Sequence, residues 1–405
     1  MAKIIFIGTS HPYRGGLAAF NERFATEIQS AGHTVSIETF TLQYPGILFP
    51  GKTQYTSGPA PGHLDIRRSI NSIWPPGWIK AAARIRRERP DIVIIRYWLP
   101  FMAPCLGTLA RLIKKDRSIR IISLLDNIIP HEKRPGDSLL TRYFTSSVDG
   151  FIAMSGSVLR ELERFDSTKP RLVSPHPVFD NFGESPGREA ALKKLGLDNE
   201  YRYILFFGLV RKYKGLDIMI RAFADKRLRK MKTRLLVAGE FYTSRAPYDE
   251  MIREHGLEKD IILHPHFVPD EEVAGWFCAA DIIALPYKSA TQSGVTQIAY
   301  HFNKPMLVSN VGGLPEIIPH GKGGYVVKAD DIEFFMPNSL AAFRKNAKVV
   351  GKEIKAYVVK VDKEKNSIVV SRKDFLDRKI DRNKTSYWHR RETITYTKEL
   401  TERQF

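Results

Sequence analysis

Arg211, Lys212 and Lys214 crowd one short loop between the apolar run YILFFG, which ends at Gly208, and the glycine Gly215. Beyond Gly215 the apolar residues Leu216, Met219, Ile220 and Phe223 recur at helical spacing. A strand, a cationic glycine turn and a helix start together make a site for a diphosphate. The peptide N–H groups and the helix dipole favour negative charge there, and the cations neutralise the rest. A βα loop with merely solvated basic side chains has the same composition. Other residues with chemical potential stand at predicted strand ends. Asp126 and Asn127 close the run IRIISLLD, and His131 follows in a Pro-His-Glu loop. A histidine there is suited to hydrogen bonding or acid–base work in a cleft, although a lone loop histidine is often incidental. Asp126 and Asn127 end that strand pointing toward the cleft, where they suit ligand binding or, equally, turn capping. Glu240, in VAGEFY, is a further carboxylate of the same kind.

The elements around these residues alternate. KIIFIG leads through a loop to a helix over LAAFNERFATEIQSAG, with Gly32 as its stop, and TVSIETF is a second strand. From Tyr44 to about Pro76 the pattern fades into Gly-, Pro- and Ser-rich sequence, which predicts a long irregular loop. AAARIRRERP is helical, DIVIIRYW a buried strand, APCLGTLARLIKK a helix, and GFIAMS a strand before SGSVLRELERF. Near-continuous apolar strands separated by helices predict an α/β fold with doubly wound parallel sheets. The polar, Pro-rich stretch between Lys169 and Asn199 reads as a domain end and linker, and a second βα series starts at Tyr203. The expected domains are therefore 1–175 and 200–328, two Rossmann-like halves facing each other across a ligand cleft at the carboxyl ends of their strands. A β-rich segment over 329–375 and a polar tail over 376–405 follow. Residues 331–405 carry 18 Lys and Arg against 11 Asp and Glu, so this end of the chain is basic.

At 405 residues, with 43% hydrophobic and 11% aromatic residues, the chain is long enough for several domains and rich enough for a large core. No apolar run approaches the roughly 18 residues of a membrane span, and the N-terminal MAKIIFIGTS reads as a strand rather than a signal peptide. The two cysteines, Cys105 and Cys278, are far apart in apolar surroundings. That excludes a disulfide frame and a thiolate metal site, and suggests a reducing, cytoplasmic setting. The net charge of +19 favours acidic partners such as nucleotides, anionic lipid or nucleic acid.

Several segments, in order, carry a resemblance. They are SHPYRGGLAAFNERFA, LLDNIIPHEKRPGD, FFGLVRKYKG and LPYKSATQSGVTQIAYHFNKPMLVSNVGGLPEIIPHGKGGYVV. Residues 1 to about 328 resemble a glycosyltransferase of family four, with the GT-B fold. The resemblance implies sugar transfer from a nucleotide diphosphate sugar to a saccharide or lipid-linked acceptor, with retained anomeric configuration. It implies no metal and no cofactor beyond the nucleotide-sugar co-substrate. Arg211 and Lys214 would neutralise the leaving diphosphate, with Gly208 in the same loop. Peptide groups at Ser293 and Gly294 would hold phosphate or sugar, and Gly15 and Gly16 would allow close backbone approach to donor or acceptor. Many family members carry two glutamates eight positions apart, and Ala290 and Ile298 stand at those positions here. Gln292 and Gln297 are the neutral substitutes nearby. Glu316, in VGGLPE, lies outside that pair.

Residues from about 324 to 375 resemble most of an OB-fold RNA-binding repeat of the ribosomal S-one type, with KEIKAYVVKVDKEKNSIVVSRKDFL as two strands around a KEKN turn. IEFFMPNSL before them reads as another strand, and GGYVV fits either unit. An RNA-binding protein on a degenerate transferase scaffold and a sugar-nucleotide epimerase are therefore the alternatives to transfer. The basic surface and the Trp74-Pro-Pro-Gly-Trp78 loop suggest peripheral contact at the inner membrane face.

Overall fold

The computed structural model describes residues 1–328, apart from positions 47, 48, 50, 52, 57, 131, 133 and 322, together with two strands near the C-terminus. The N-terminal half runs β1 (Lys3–Ile7), α1 (Gly16–Ser30), β2 (Thr34–Leu42), β3 (Asp65–Asn71), α2 (Pro75–Glu88), β4 (Ile92–Tyr97), α3 (Ala103–Ile113), β5 (Arg120–Leu125), α4 (Asp137–Thr145), β6 (Gly150–Ala153), α5 (Gly156–Leu162) and β7 (Arg171–Val173). All seven strands pair in parallel in the order β3-β2-β1-β4-β5-β6-β7. The second half runs α6 (Arg188–Lys194), β8 (Arg202–Phe207), α7 (Leu216–Phe223), α8 (Lys226–Lys230), β9 (Thr233–Ala238), α9 (Ala246–Glu254), β10 (Ile261–His264), α10 (Asp270–Ala279), β11 (Ile282–Leu285), α11 (Gly294–His301), β12 (Met306–Ser309), α12 (Leu314–Ile317) and β13 (Gly324–Val327). Its six parallel strands follow β10-β9-β8-β11-β12-β13.

In each sheet the strand order reverses beside the first strand, so a crevice opens at the carboxyl ends of β1 and β4 and of β8 and β11. The strands are apolar almost throughout because helices cover both faces. Ile5, Ile7, Val93, Ile95, Leu205, Leu236 and Val308 are fully enclosed. One hydrophobic cluster passes from Phe6 and Phe20 through Phe179 and Phe182 to Phe277 and Leu314, joining the two halves. β13 settles the GGYVV run in the second sheet, with Tyr325 opposite Leu307.

Three expectations change. The stretch from Tyr44 to Pro76 is not all loop, because β3 pairs in parallel with β2 within it. Only Ile66 and Ile70 are apolar in DIRRSIN, and Arg67 and Arg68 give it the charged look of an edge strand rather than a core one. Helix α2 begins at Pro75, with prolines in its first turn where a missing N–H costs nothing. The Trp74–Trp78 run is thus a helix start, and Trp78 is buried with its indole N–H donating to the Asn71 carbonyl, 2.6 Å. The linker between Lys169 and Asn199 supplies β7 to the first sheet and α6, which packs on α10.

Residues 338–405 form a separate unit. In it β14 (Tyr357–Asp362) and β15 (Ser367–Ser371) pair antiparallel around the KEKN segment. The IEFFMPNSL run, the remainder of the 329–375 segment and the 376–405 tail lie outside the described residues.

Candidate active site

The cationic loop is built as a cradle. β8 ends at Phe207, and Gly208 turns with φ +93°. A side chain at Gly208 would stand 3.3 Å from the Lys214 Nζ. Residues Lys212–Lys214 make a single 3-10 turn, and Gly215 (φ +72°) caps α7. A Cβ at Gly215 would meet the Pro286 carbonyl oxygen at 2.0 Å, so only glycine allows this loop to lie against the chain leaving β11. Lys214 is half-buried, with its Nζ 5.6 Å from the centre of the Tyr287 ring. Burial, with the Arg211 charge adding, pushes its ammonium down to about 8. No ion pair neutralises Lys214 or Arg211 among the described residues. Arg211 lies over the Tyr242 ring at 5.2 Å.

Opposite stands the start of α11. Ser293 is its N-cap, and its side chain makes no capping bond. The Ser293 hydroxyl lies 3.5 Å from that of Tyr287. The first peptide N–H groups of an α-helix have no intrahelical partner, so this end favours an anion. Between the two features lies a cavity of about 300 Å³. Gly208, Lys214, Glu240, Gln292, Ser293 and Gly294 line it, with Gly16 from the first half. Ala290 and Ile298, at the positions where the resemblance implies glutamates, also line it, so that wall is apolar. Asp270, the first residue of α10, is a further wall carboxylate, and burial and the Glu271 and Glu22 charges push it above the usual range.

The halves meet through side chains. The Arg14 Nη2 donates to the Glu240 Oε2 at 2.5 Å, while the Arg14 guanidinium lies 4.0 Å over the Phe267 ring. Glu240 is therefore a buried partner of Arg14 as well as a wall residue. Asp126 is not an open acid or base. Both its oxygens accept from Arg96 at 2.6 Å, and the Gln292 Nε2 donates to its Oδ1 at 2.9 Å. Asn127 likewise bonds across the seam, accepting from the Thr291 hydroxyl. The Ser155 hydroxyl donates to the Thr291 carbonyl at 3.0 Å, and Glu316 holds the Gly156 N–H at 2.7 Å and Arg160 at 3.0 Å.

Of the expected site residues, Gln297 departs furthest. It is buried on α11, donates to the Thr296 hydroxyl at 3.3 Å and does not line the cavity. Gly15 (φ +95°) caps α1 beside Gly16 but is not itself in the wall. His131 lies outside the described residues. Sequence reasoning missed Arg14 and Arg96 at the seam, and Tyr213 and Tyr287 in the cavity wall. Arg14 had a signal, since it directly precedes the Gly-Gly pair. Among the described residues no group of three or more His, Cys, Asp or Glu side chains is placed to hold a metal ion.

The family profile described as Glycosyltransferase Family 4 matches residues 14–176, and that described as Glycosyl transferases group 1 matches residues 201–341. The D-inositol 3-phosphate glycosyltransferase of Streptomyces scabiei is 24% identical over 346 residues, which is 78% of this chain and 76% of that protein. The enzyme of the same name from Thermobifida fusca is 26% identical over 349 residues, 78% of each chain. Among solved structures, Anabaena HepE in complex with UDP and glucose superposes with a TM-score of 0.65 at 14% identity, over 87% of this chain and 93% of that one. Sucrose-phosphate synthase from Thermosynechococcus elongatus does so with 0.64 at 16% identity, over 86% and 90%. With one profile on each Rossmann-like half, this chain belongs to glycosyltransferase family four, with the GT-B fold, and is a glycosyltransferase.

Proposed function

We propose that the chain transfers a sugar from a nucleotide diphosphate sugar, with the diphosphate seated between Lys214 and the start of α11. The observation that carries this is Lys214, a half-buried cation with no carboxylate partner among the described residues, on the wall of a cavity at the strand ends. Burying an ammonium without a counter-charge is costly, and a diphosphate would supply the counter-charge. In the transfer, the bond from the sugar anomeric carbon to the phosphate oxygen breaks and a bond to the acceptor oxygen forms. The acceptor's proton leaves with the departing phosphate. Lys214 and Arg211 would stabilise the charge that develops on that phosphate. The UDP of the HepE complexes makes uridine nucleotides the first donors to try. Anomeric retention is read from the product by NMR. Calorimetry with UDP, GDP, ADP and dTDP on the full chain and on Lys214→Ala tests the site. One nucleotide should bind, and the substitution should weaken it tenfold or more. No binding to any of the four by folded protein would sink the reading.

The acceptor is proposed to be a saccharide, presented at an anionic bilayer. Ile73, Trp74 and Ile79 are 51%, 59% and 60% exposed at the start of α2, with Lys80 and Arg87 exposed farther along the same helix. Apolar tips beside cations suit a membrane interface. No described helix is long and apolar enough to cross a membrane. Co-flotation with anionic liposomes at low salt, reduced by Trp74→Glu with Ile79→Glu, is the expected result. Equal recovery with and without liposomes counts against it.

A further inference from the structure

We propose that Gln292 selects a hydroxyl that donates a hydrogen bond on the donor's transferred sugar, and that Arg96 and Asp126 fix the polarity of its amide from across the cleft. This rests on the donor reading above.

Arg96 sits in β4 and is only 2% exposed. Its Nη1 donates to the Asn21 Oδ1 at 2.6 Å, its guanidinium lies 4.2 Å over the Phe20 ring, and its Nε and Nη2 grip both Asp126 oxygens. A carboxylate held this way only accepts. The Gln292 amide therefore turns its Nε2 toward the Asp126 Oδ1, at 2.9 Å. Turning it over would set a carbonyl oxygen against a carboxylate, with no proton between them.

That orientation commits the other end. The Gln292 Oε1 is enclosed and has no hydrogen-bond partner among the described residues, while Gln292 lines the cavity. An enclosed acceptor left unmet is unfavourable, so a ligand that brings a donor to it gains. A phosphate oxygen cannot, because it too is an acceptor. A hydroxyl can. Gln292 also stands at the seam, next to Ser293 at the anion-binding helix start and bonded to the opposite half. A group bound to both the diphosphate and the attacking acceptor must lie at that seam, and the transferred sugar is that group. Site selectivity of this type is strong, because an analogue lacking the hydroxyl leaves a buried acceptor unpaired.

The probes are UDP, GDP, ADP and dTDP and their glucose conjugates, titrated into the full chain. For the one that binds, deoxy and deoxyfluoro glucose conjugates are then compared at each ring position in turn. At one position the hydroxyl should bind at least tenfold tighter than hydrogen. Fluorine should gain nothing over hydrogen, since it cannot donate. Gln292→Met should erase that tenfold and leave the bare nucleotide within twofold. Asp126→Asn frees the amide to turn and should narrow the hydroxyl-to-fluorine gap at least threefold, with kcat and KM for the hydroxyl donor both changed. If fluorine substitutes for the hydroxyl in wild-type protein, the polarity is wrong, and that comparison needs no variant to fold. Discrimination that survives Gln292→Met, or an equal loss of bare nucleotide binding, overturns the sugar-reading role while the donor site stands. Folded Asp126→Asn with an unchanged gap removes Arg96 and Asp126 from the proposal. Failure of every nucleotide and conjugate to bind overturns the donor reading itself and this inference with it.

Discussion

Replacing Lys214 with methionine should stabilise the free protein and weaken its donor site together. The ammonium is held at about 8 against an ordinary 10.5, chiefly by burial. The unfolded chain therefore binds the proton more tightly than the folded one, and keeping the folded group charged costs stability below pH 8. A depression of that size corresponds to about 3 kcal/mol at pH 7, at 1.36 kcal/mol per unit. Methionine has a similar length and no charge to desolvate. At an unfolding entropy near 2.1 cal/mol/K per residue, that gain raises the melting temperature of a unit this size by about 5 °C. The sign is checked by pH. As pH rises from 8 toward 10.5 the wild-type protein sheds the proton when folded but not when unfolded, so wild type gains stability that the variant does not. The advantage of Lys214→Met should therefore shrink to about 2 kcal/mol at pH 9 and vanish near 10.5. Urea unfolding at pH 7 and pH 9, beside nucleotide calorimetry, measures both effects. A variant no more stable than wild type at pH 7 that binds nucleotide as tightly as wild type would refute the reasoning at both points.

Nucleotide affinity of the wild-type protein should itself fall about tenfold from pH 7 to pH 9, as the protonated fraction of a group titrating near 8 drops from about nine-tenths to one-tenth; the Lys214→Met variant should show no such slope. Gly215→Ala should destabilise the cradle by more than about 3 kcal/mol, since its Cβ would overlap the Pro286 carbonyl at a positive φ, and circular dichroism melts will read it. Gly32→Ala, at φ +85° but with open space around it, should cost only about 1 kcal/mol by the same measurement. Arg14→Ala removes a guanidinium from the buried Glu240 carboxylate, for a loss of about 2 kcal/mol, and should speed proteolysis between the two halves unless nucleotide is present.

The cationic loop was legible because everything that makes it is local. A strand, a glycine, three cations and a helix start lie within one short run, and each follows from pattern or propensity. The parallel sheets were legible for the same reason. β3 was not, since an edge strand with charges at Arg67 and Arg68 lacks both the apolar run and the clean alternation of a core strand. The Trp74 loop failed differently, because two prolines that usually break a helix are also the residues best suited to start one. The contacts at the seam were beyond any local reading. Arg14 and Glu240 pair across 226 positions, and Asp126 and Gln292 across 166. Asp126 does follow the end of β5, but nothing adjacent in sequence says that a buried arginine consumes both of its oxygens.

One clue to that arginine was nonetheless in plain view. DIVIIRYW is an apolar parallel strand with a charge in it, and such a strand is enclosed on both faces. A guanidinium there contradicts its surroundings unless a carboxylate, an amide and a ring are arranged to receive it, as Asp126, Asn21 and Phe20 are. Apolar residues of similar volume in place of such a pair often leave stability unchanged or higher, so the pair is poorly explained as a stabilising device. What apolar residues could not do is hold the Gln292 amide one way round. Where a buried charge conflicts with its own strand and its partner reaches the wall of a ligand cavity, the conflict points to the site rather than to the fold.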